Sequence, residues 1–152
     1  MKMNWINHFI FSIICLKSIV EQASFSEIII FSLLFSVLVD LDLAYSIINR
    51  NPRHHLRTWV QEPLAILIIG LPIAVILSLV KPYYLLMVLI PYASHVLLDY
   101  ITIHEVEPFA PFSKKKINVG IVRAFPAKPA IKAVSEHYML MLNIILLVIV
   151  LF

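Results

Sequence analysis

His95 and Asp99 stand four residues apart in the segment PYASHVLLDYIT. On a helix that spacing stacks two side chains on one face, with Cβ atoms ~5–6 Å apart. Such a pair can hold a metal ion, or it can be a hydrogen-bonded couple that satisfies two buried polar groups. Asp40 and Asp42 form a second carboxylate pair. On a continuous helix they point about 200° apart, at ~100° per residue, so facing one ion requires the helix to unwind there. The alternative is a pair of helix-end charges in headgroup water, although carboxylates at a helix C-terminus oppose its dipole. His54 and His55 follow, beside Arg53 and Arg57, and fit either imidazole ligands or a basic interfacial loop. His8 completes the set. Imidazole and carboxylate donors without thiolate suit Zn²⁺, with Mn²⁺ or Fe²⁺ as alternatives. The single cysteine, Cys15, excludes an intrachain disulfide and reads as a small packed or lipid-facing side chain.

The elements that must position these residues are set by an unusual composition. The chain has 152 residues, 61% hydrophobic and only 14% charged, with a mean hydropathy of +0.94. Soluble domains run nearer ~45–50% apolar and ~25% charged, so a nucleic-acid-binding domain, a disordered tail and an ordinary cytosolic enzyme are all excluded. The expected fold class is all-α, an integral membrane protein with about five transmembrane helices forming one domain over residues 1–152. The spans are Trp5 to Val20, Ile28 to Val39, Pro63 to Val80, Pro82 to Ile103 and Tyr138 to Phe152. Their apolar runs are continuous rather than alternating, which favours helices over strands in lipid. Pro63 and Pro82 stand where helices begin, since the missing N–H does no harm there.

Lys81 and Pro82 leave room for only a tight hairpin between the third and fourth spans. The two long connections, 43–62 and 104–137, must then share one membrane face. Ten of the 12 Lys and Arg residues fall on that side, and only Lys17 and Lys81 on the other. The asymmetry places both loops and the N-terminus in the cytoplasm. A cleaved signal peptide is the rival reading of the N-terminus, but Glu21 and Ala23 do not make a small-x-small cleavage site. The run Lys114 to Lys116 suits an electrostatic anchor on anionic headgroups.

With the spans so drawn, Asp40, Asp42, His54, His55, His95, Asp99 and His8 all fall in one layer near the cytoplasmic surface. An Asp at a helix centre costs ~2.5–3.5 kcal/mol on insertion scales, so intramembrane ionisable groups are expected to have a partner or a task.

The order of these residues resembles the LexA-regulated, membrane-bound metal-dependent hydrolase family, whose members look like integral-membrane relatives of zinc-dependent phospholipase C. WINHFIFSIIC is similar to the family's early His-containing helix, VLVDLDL to its Leu-Pro-Asp-x-Asp, and PYASHVLLDYIT with EVEPFAPFSKK to its Ser-His-x-x-x-Asp-x-x-Thr and Pro-Phe elements. The resemblance implies metal-ligand roles for His8, Asp40, Asp42, His95 and Asp99, with Thr102 alongside. One segment departs: the family's His-Arg-Gly-x-Thr-His-Ser is RHHLRTWVQEP here, so aligning His54 with the first His and Thr58 with the Thr puts Trp59 at the second, whereas the register that favours His55 brings Gln61 or Glu62 near it. Glu62 stands where an oxygen donor can substitute for it. Val39 likewise replaces the family's proline before Asp40.

The resemblance implies hydrolysis, in which a divalent ion activates water near neutral pH and polarises a phosphoryl or carbonyl oxygen. Glu105 and Glu107 are candidate general bases, or else solvated loop carboxylates, and Glu62 is a third carboxylate of the expected catalytic set. Arg50, Arg53 and Arg57 can hold a phosphate, and a site at headgroup depth would meet membrane lipids, with a phospholipid or another amphiphilic phosphoester as substrate. Two other classes compete. A non-catalytic metal-binding or structural protein is favoured by the altered His loop. A metal or proton transporter needs polar steps at several depths, and neither the third span nor the outer half of the fourth carries an ionisable residue.

Overall fold

The computed structural model describes residues 5–37, 39, 59–101, 106–113, 115–117, 122–123 and 134–151. Five helices make up most of them: α1 (Trp5–Ile19), α2 (Phe25–Val37), α3 (Pro63–Ser78), α4 (Tyr84–Ile101) and α5 (Glu136–Leu151). They follow the five apolar runs of the sequence closely. Pro63 takes the first turn of α3, with Glu62 as its N-cap residue. Pro82 instead sits in a turn, closed by the Tyr84 N–H donating to the Lys81 carbonyl at 2.9 Å, and α4 opens after it.

Among the described residues only α4 is long and apolar enough by itself to cross a membrane, and the other four are shorter apolar helices. The 15 residues of α1 rise about 23 Å at 1.5 Å each, less than ~30 Å of hydrocarbon. Crossing by the shorter helices therefore draws on flanking residues or a locally thinner bilayer. The connection between α4 and α5 is not wholly irregular. Val122–Arg123 pairs in parallel with Val134–Ser135, and a single antiparallel bridge joins Val106 to Ile117. An all-α reading omits these pieces, which are too short to carry an alternation pattern.

Packing inverts the usual distribution. Large apolar side chains face outward on every helix, among them Ile30, Leu67, Ile76, Leu97 and Ile149. Polar ones are enclosed: Asn7, His8, Ser12, Ser32, Ser36, Ser94, His95, Asp99 and Asn143 are all buried. That is the arrangement expected when hydrocarbon is the solvent, because polar groups then satisfy one another across helix contacts. Ser12 donates to Ser32 at 2.9 Å, tying α1 to α2, and Asn143 donates to Asn7 at 3.1 Å, tying α5 to α1.

Two wide turns with π-type hydrogen bonding, Leu33–Val37 in α2 and Ile66–Gly70 in α3, adjust the helices locally. Gly70 permits close approach of α3 and α4. A Cβ there would lie 3.0 Å from Cδ1 of Tyr92, whose hydroxyl is pinned by donation to the Val60 carbonyl at 2.6 Å.

At the end of the bundle holding the two short turns, Glu27 is a hub. Ser24 caps α2 reciprocally with it, Lys81 binds it at 2.7 Å, and the Tyr84 and Tyr83 hydroxyls donate at 2.7 and 3.1 Å. The turn after α1 is thereby clasped to the turn after α3. Lys81 and then Tyr84 and Ser24 hold the Glu27 carboxyl far below the usual carboxylate range, and Glu27 raises Lys81 above the usual lysine range. A lowered acid stabilises the fold above its unfolded pKa, and that contribution fades as pH falls towards the folded one; a raised base does so below its unfolded pKa. The stability advantage of wild type over Glu27→Gln should therefore be flat between about pH 5 and 10, the window inside the free Glu and Lys values. It should shrink outside that window, as thermal unfolding in detergent across pH would show.

Candidate metal centre

On α1 the residues His8, Ser12 and Leu16, spaced four apart, are all fully buried. On α4 the buried stripe Val88, Tyr92, His95 and Asp99 faces the bundle. Because α1 lies against α4, the two stripes bring His8 to His95 and Asp99. Three residues from distant parts of the sequence thus share one interior point.

Their imidazole rings stack with centroids 4.0 Å apart and planes 22° from parallel. His8 Nε2 lies 3.4 Å from Asp99 Oδ1, and His95 Nε2 lies 3.7 Å from Asp99 Oδ2. One potential ligand atom from each residue falls within 4.8 Å of the others, and all three side chains are buried. The two nitrogen–oxygen separations exceed the ~2.7–3.2 Å of a hydrogen bond. A shared Zn²⁺ ion with bonds of ~2.0–2.1 Å would draw such pairs in to about 3.3 Å.

The tautomer of His95 supports the same use. Its Nδ1 is 2.6 Å from the Ser36 carbonyl of α2. A carbonyl only accepts, so Nδ1–H donates and a neutral ring keeps its lone pair on Nε2, the nitrogen facing Asp99. Orientation of a ligand histidine by a backbone carbonyl is a common feature of metal sites. His8 adds an independent observation: neither of its ring nitrogens has a hydrogen-bond partner among the described residues, although the side chain is fully buried. A stranded buried polar atom costs ~1–3 kcal/mol, which an ion would offset. The donor set therefore fits a divalent metal.

Glu62, the carboxylate that ends the loop before α3, reaches the end of α4. It is buried, its Oε2 accepts from the Tyr100 hydroxyl at 2.8 Å, and its Oε1 accepts from the Glu107 N–H at 3.1 Å. It joins the start of α3, the end of α4 and the connection that follows. Glu107 is held there by its backbone, with its side chain half-buried. Gln61, next to Glu62, reaches the Val39 carbonyl at 3.5 Å, immediately before Asp40 in the chain. Asp40, Asp42, His54, His55, Thr102 and Glu105 lie outside the described residues, as do Arg50, Arg53, Arg57 and Lys114. Residue types alone did not point to the Ser36 carbonyl or the Tyr100 hydroxyl. The first is backbone and has no residue signature; the second could have been suspected from a tyrosine adjacent to Asp99.

A helical bundle that is apolar outside and polar within, with imidazoles and a carboxylate gathered at its centre, is a membrane protein with a buried polar site. The family model of the YdjM inner membrane protein matches residues 3–152, and the chain belongs to that family. It is an inner membrane protein; the family description attaches no activity to it. No curated protein and no solved structure matches the chain.

Proposed function

We propose that the protein is a membrane-embedded, metal-dependent hydrolase that acts on an ester or phosphoester of an amphiphile at the cytoplasmic surface. The observation that carries this reading is the meeting of His8, His95 and Asp99 in one buried cluster whose ligand atoms lie within 4.8 Å of one another. The resemblance of the motifs around these three residues to the metal-dependent hydrolase family supports it. In this reading the chain crosses the membrane five times, with the N-terminus and both long connections cytoplasmic, as the ten-to-two distribution of Lys and Arg favours.

His8, His95 and Asp99 would hold the ion, with Asp40, Asp42 and one of His54 or His55 completing the shell. Zn²⁺ suits these donors, with Mn²⁺ or Fe²⁺ as alternatives, and such an ion supplies activation of water and polarisation of the ester oxygen. Ser36 fixes the His95 ring through its carbonyl. Glu62 acts as a positioning residue that fixes Tyr100 and the backbone of Glu107, while Glu107 or Glu105 takes a proton. Exposed Phe109 and Phe112, with Lys115 and Lys116 following them, suit a loop resting on anionic headgroups.

A non-catalytic metal-binding or structural protein is the second reading, favoured by Trp59 standing where the related hydrolases carry a histidine. The deciding test is release of product from a phospholipid and phosphoester panel by purified protein. Turnover should fall by more than ~100-fold in Asp99→Asn, since loss of a supporting partner alone costs ~10–100-fold at metal sites. No turnover in a wild type that holds its metal would favour the second reading.

A further inference from the structure

Between α1 and α4 lies an open slot of about 500 Å³ whose lining is almost entirely apolar. Phe11, Cys15 and Ile19 form one wall, and Ile90, Ala93 and Leu97 the other. We propose that this slot binds an acyl chain of a glycerophospholipid, placing the head-group end of that lipid beside His8, His95 and Asp99.

Three observations point to this occupant. The first is location: the slot is formed by the two helices that carry the cluster, and its lining includes Ser94 and Tyr100, the neighbours of His95 and Asp99 in the chain. The second is direction. His8 precedes Phe11 by one turn, so the slot starts at the level of the polar cluster and runs away from it along α1 to Ile19. From Phe11 to Ile19 that is about 12 Å, and from Ile90 to Tyr100 about 15 Å, at 1.5 Å per residue. A polar cluster beside one end of an open apolar slot is complementary to an amphiphile, and to neither a soluble ion nor a peptide. The third is shape. Ala93 stands between Ile90 and Leu97, one turn to either side, and its missing bulk hollows the wall. The volume falls within the ~300–1,000 Å³ of sites that enclose small ligands.

The position of the head group rests on the proposed metal site; the tail slot does not. Cys15 is the only cysteine and lines the slot, so it reports occupancy without any substitution. Alkylation of Cys15 by a membrane-permeant maleimide would be followed in detergent micelles containing increasing dioleoyl phosphatidylglycerol. Protection should rise with the lipid fraction, reaching about tenfold when the lipid is near ten times its Kd. Ala93→Trp fills the slot, so its Cys15 should be slow to react and insensitive to lipid. Ile145→Trp, on an exposed face of α5, should behave as wild type. An unchanged elution volume and thermal unfolding midpoint in detergent verify the fold of Ala93→Trp.

Alkylation at one rate across all lipid fractions in wild type, or full lipid-dependent protection in Ala93→Trp, would overturn the proposal. His95→Ala separates the two readings, since it should lose metal and keep Cys15 protection. Metal without protection in wild type defeats the slot alone, and protection without metal defeats the hydrolase reading alone.

Discussion

Replacing His8 with leucine should stabilise the metal-stripped protein and at the same time abolish its tight hold on metal. The side chain is fully buried, and neither ring nitrogen has a hydrogen-bond partner among the described residues. Leaving such atoms unsatisfied costs ~1–3 kcal/mol, and an aliphatic side chain removes that cost. Some of the gain is offset by losing the stack on His95 at 4.0 Å, so a net increase of about 1 kcal/mol is expected, within the usual gain from relieving a functional site. Thermal unfolding in detergent after chelation measures it. Opposite signs for stability and metal affinity are what distinguish a ligand from a structural histidine. A loss of ~2 kcal/mol or more in the chelated protein would show instead that His8 is part of a satisfied polar core.

Glu62→Ala should destabilise the fold by about 1–3 kcal/mol, because it removes a hydrogen-bond acceptor from two groups at once, each such bond contributing ~0.5–1.5 kcal/mol net. Those groups are the Tyr100 hydroxyl at 2.8 Å and the Glu107 N–H at 3.1 Å. Three elements meet at this carboxylate: the start of α3, the last turn of α4 and the connection from Val106 onward. Limited proteolysis should accordingly open that connection near exposed Phe109 and Phe112. Glu62→Gln keeps an acceptor oxygen and should stay within about 1 kcal/mol of wild type, the net worth of an ordinary hydrogen bond. If Glu62→Gln instead preserved stability and eliminated turnover, the carboxylate would have to be placed among the groups acting on substrate.

Much of the helical layout was legible because lipid imposes a simple rule: continuous apolar runs must become helices. Wide turns within α2 and α3 could not be read that way, since the period of the apolar pattern does not register a local change of hydrogen bonding. The pairing of His95 with Asp99 followed from their four-residue spacing on α4. The approach of His8 followed only from topology, which predicts a shared layer and not a shared point. Its stacking on His95 depends on how α1 rolls against α4, and that is decided by the buried stripe of His8, Ser12 and Leu16. Lys81 was legible as a residue of the side opposite the long loops, but its partner Glu27 was not, because the pair joins two hairpins distant in sequence. For Glu62 the motif position raised an oxygen donor in place of a histidine, and it could not show the hydrogen bonds to Tyr100 and to the backbone of Glu107, since those depend on how α3 meets the end of α4.

The central claim is that the buried imidazoles of His8 and His95 and the carboxylate of Asp99 hold a divalent ion. Metal analysis of detergent-purified protein, comparing wild type with His95→Ala and Asp99→Asn, tests it most directly. Wild type should carry at least equimolar divalent metal, with both variants depleted yet still eluting as folded protein. Metal well below equimolar in the wild type after reconstitution, or full retention in both variants, would contradict it.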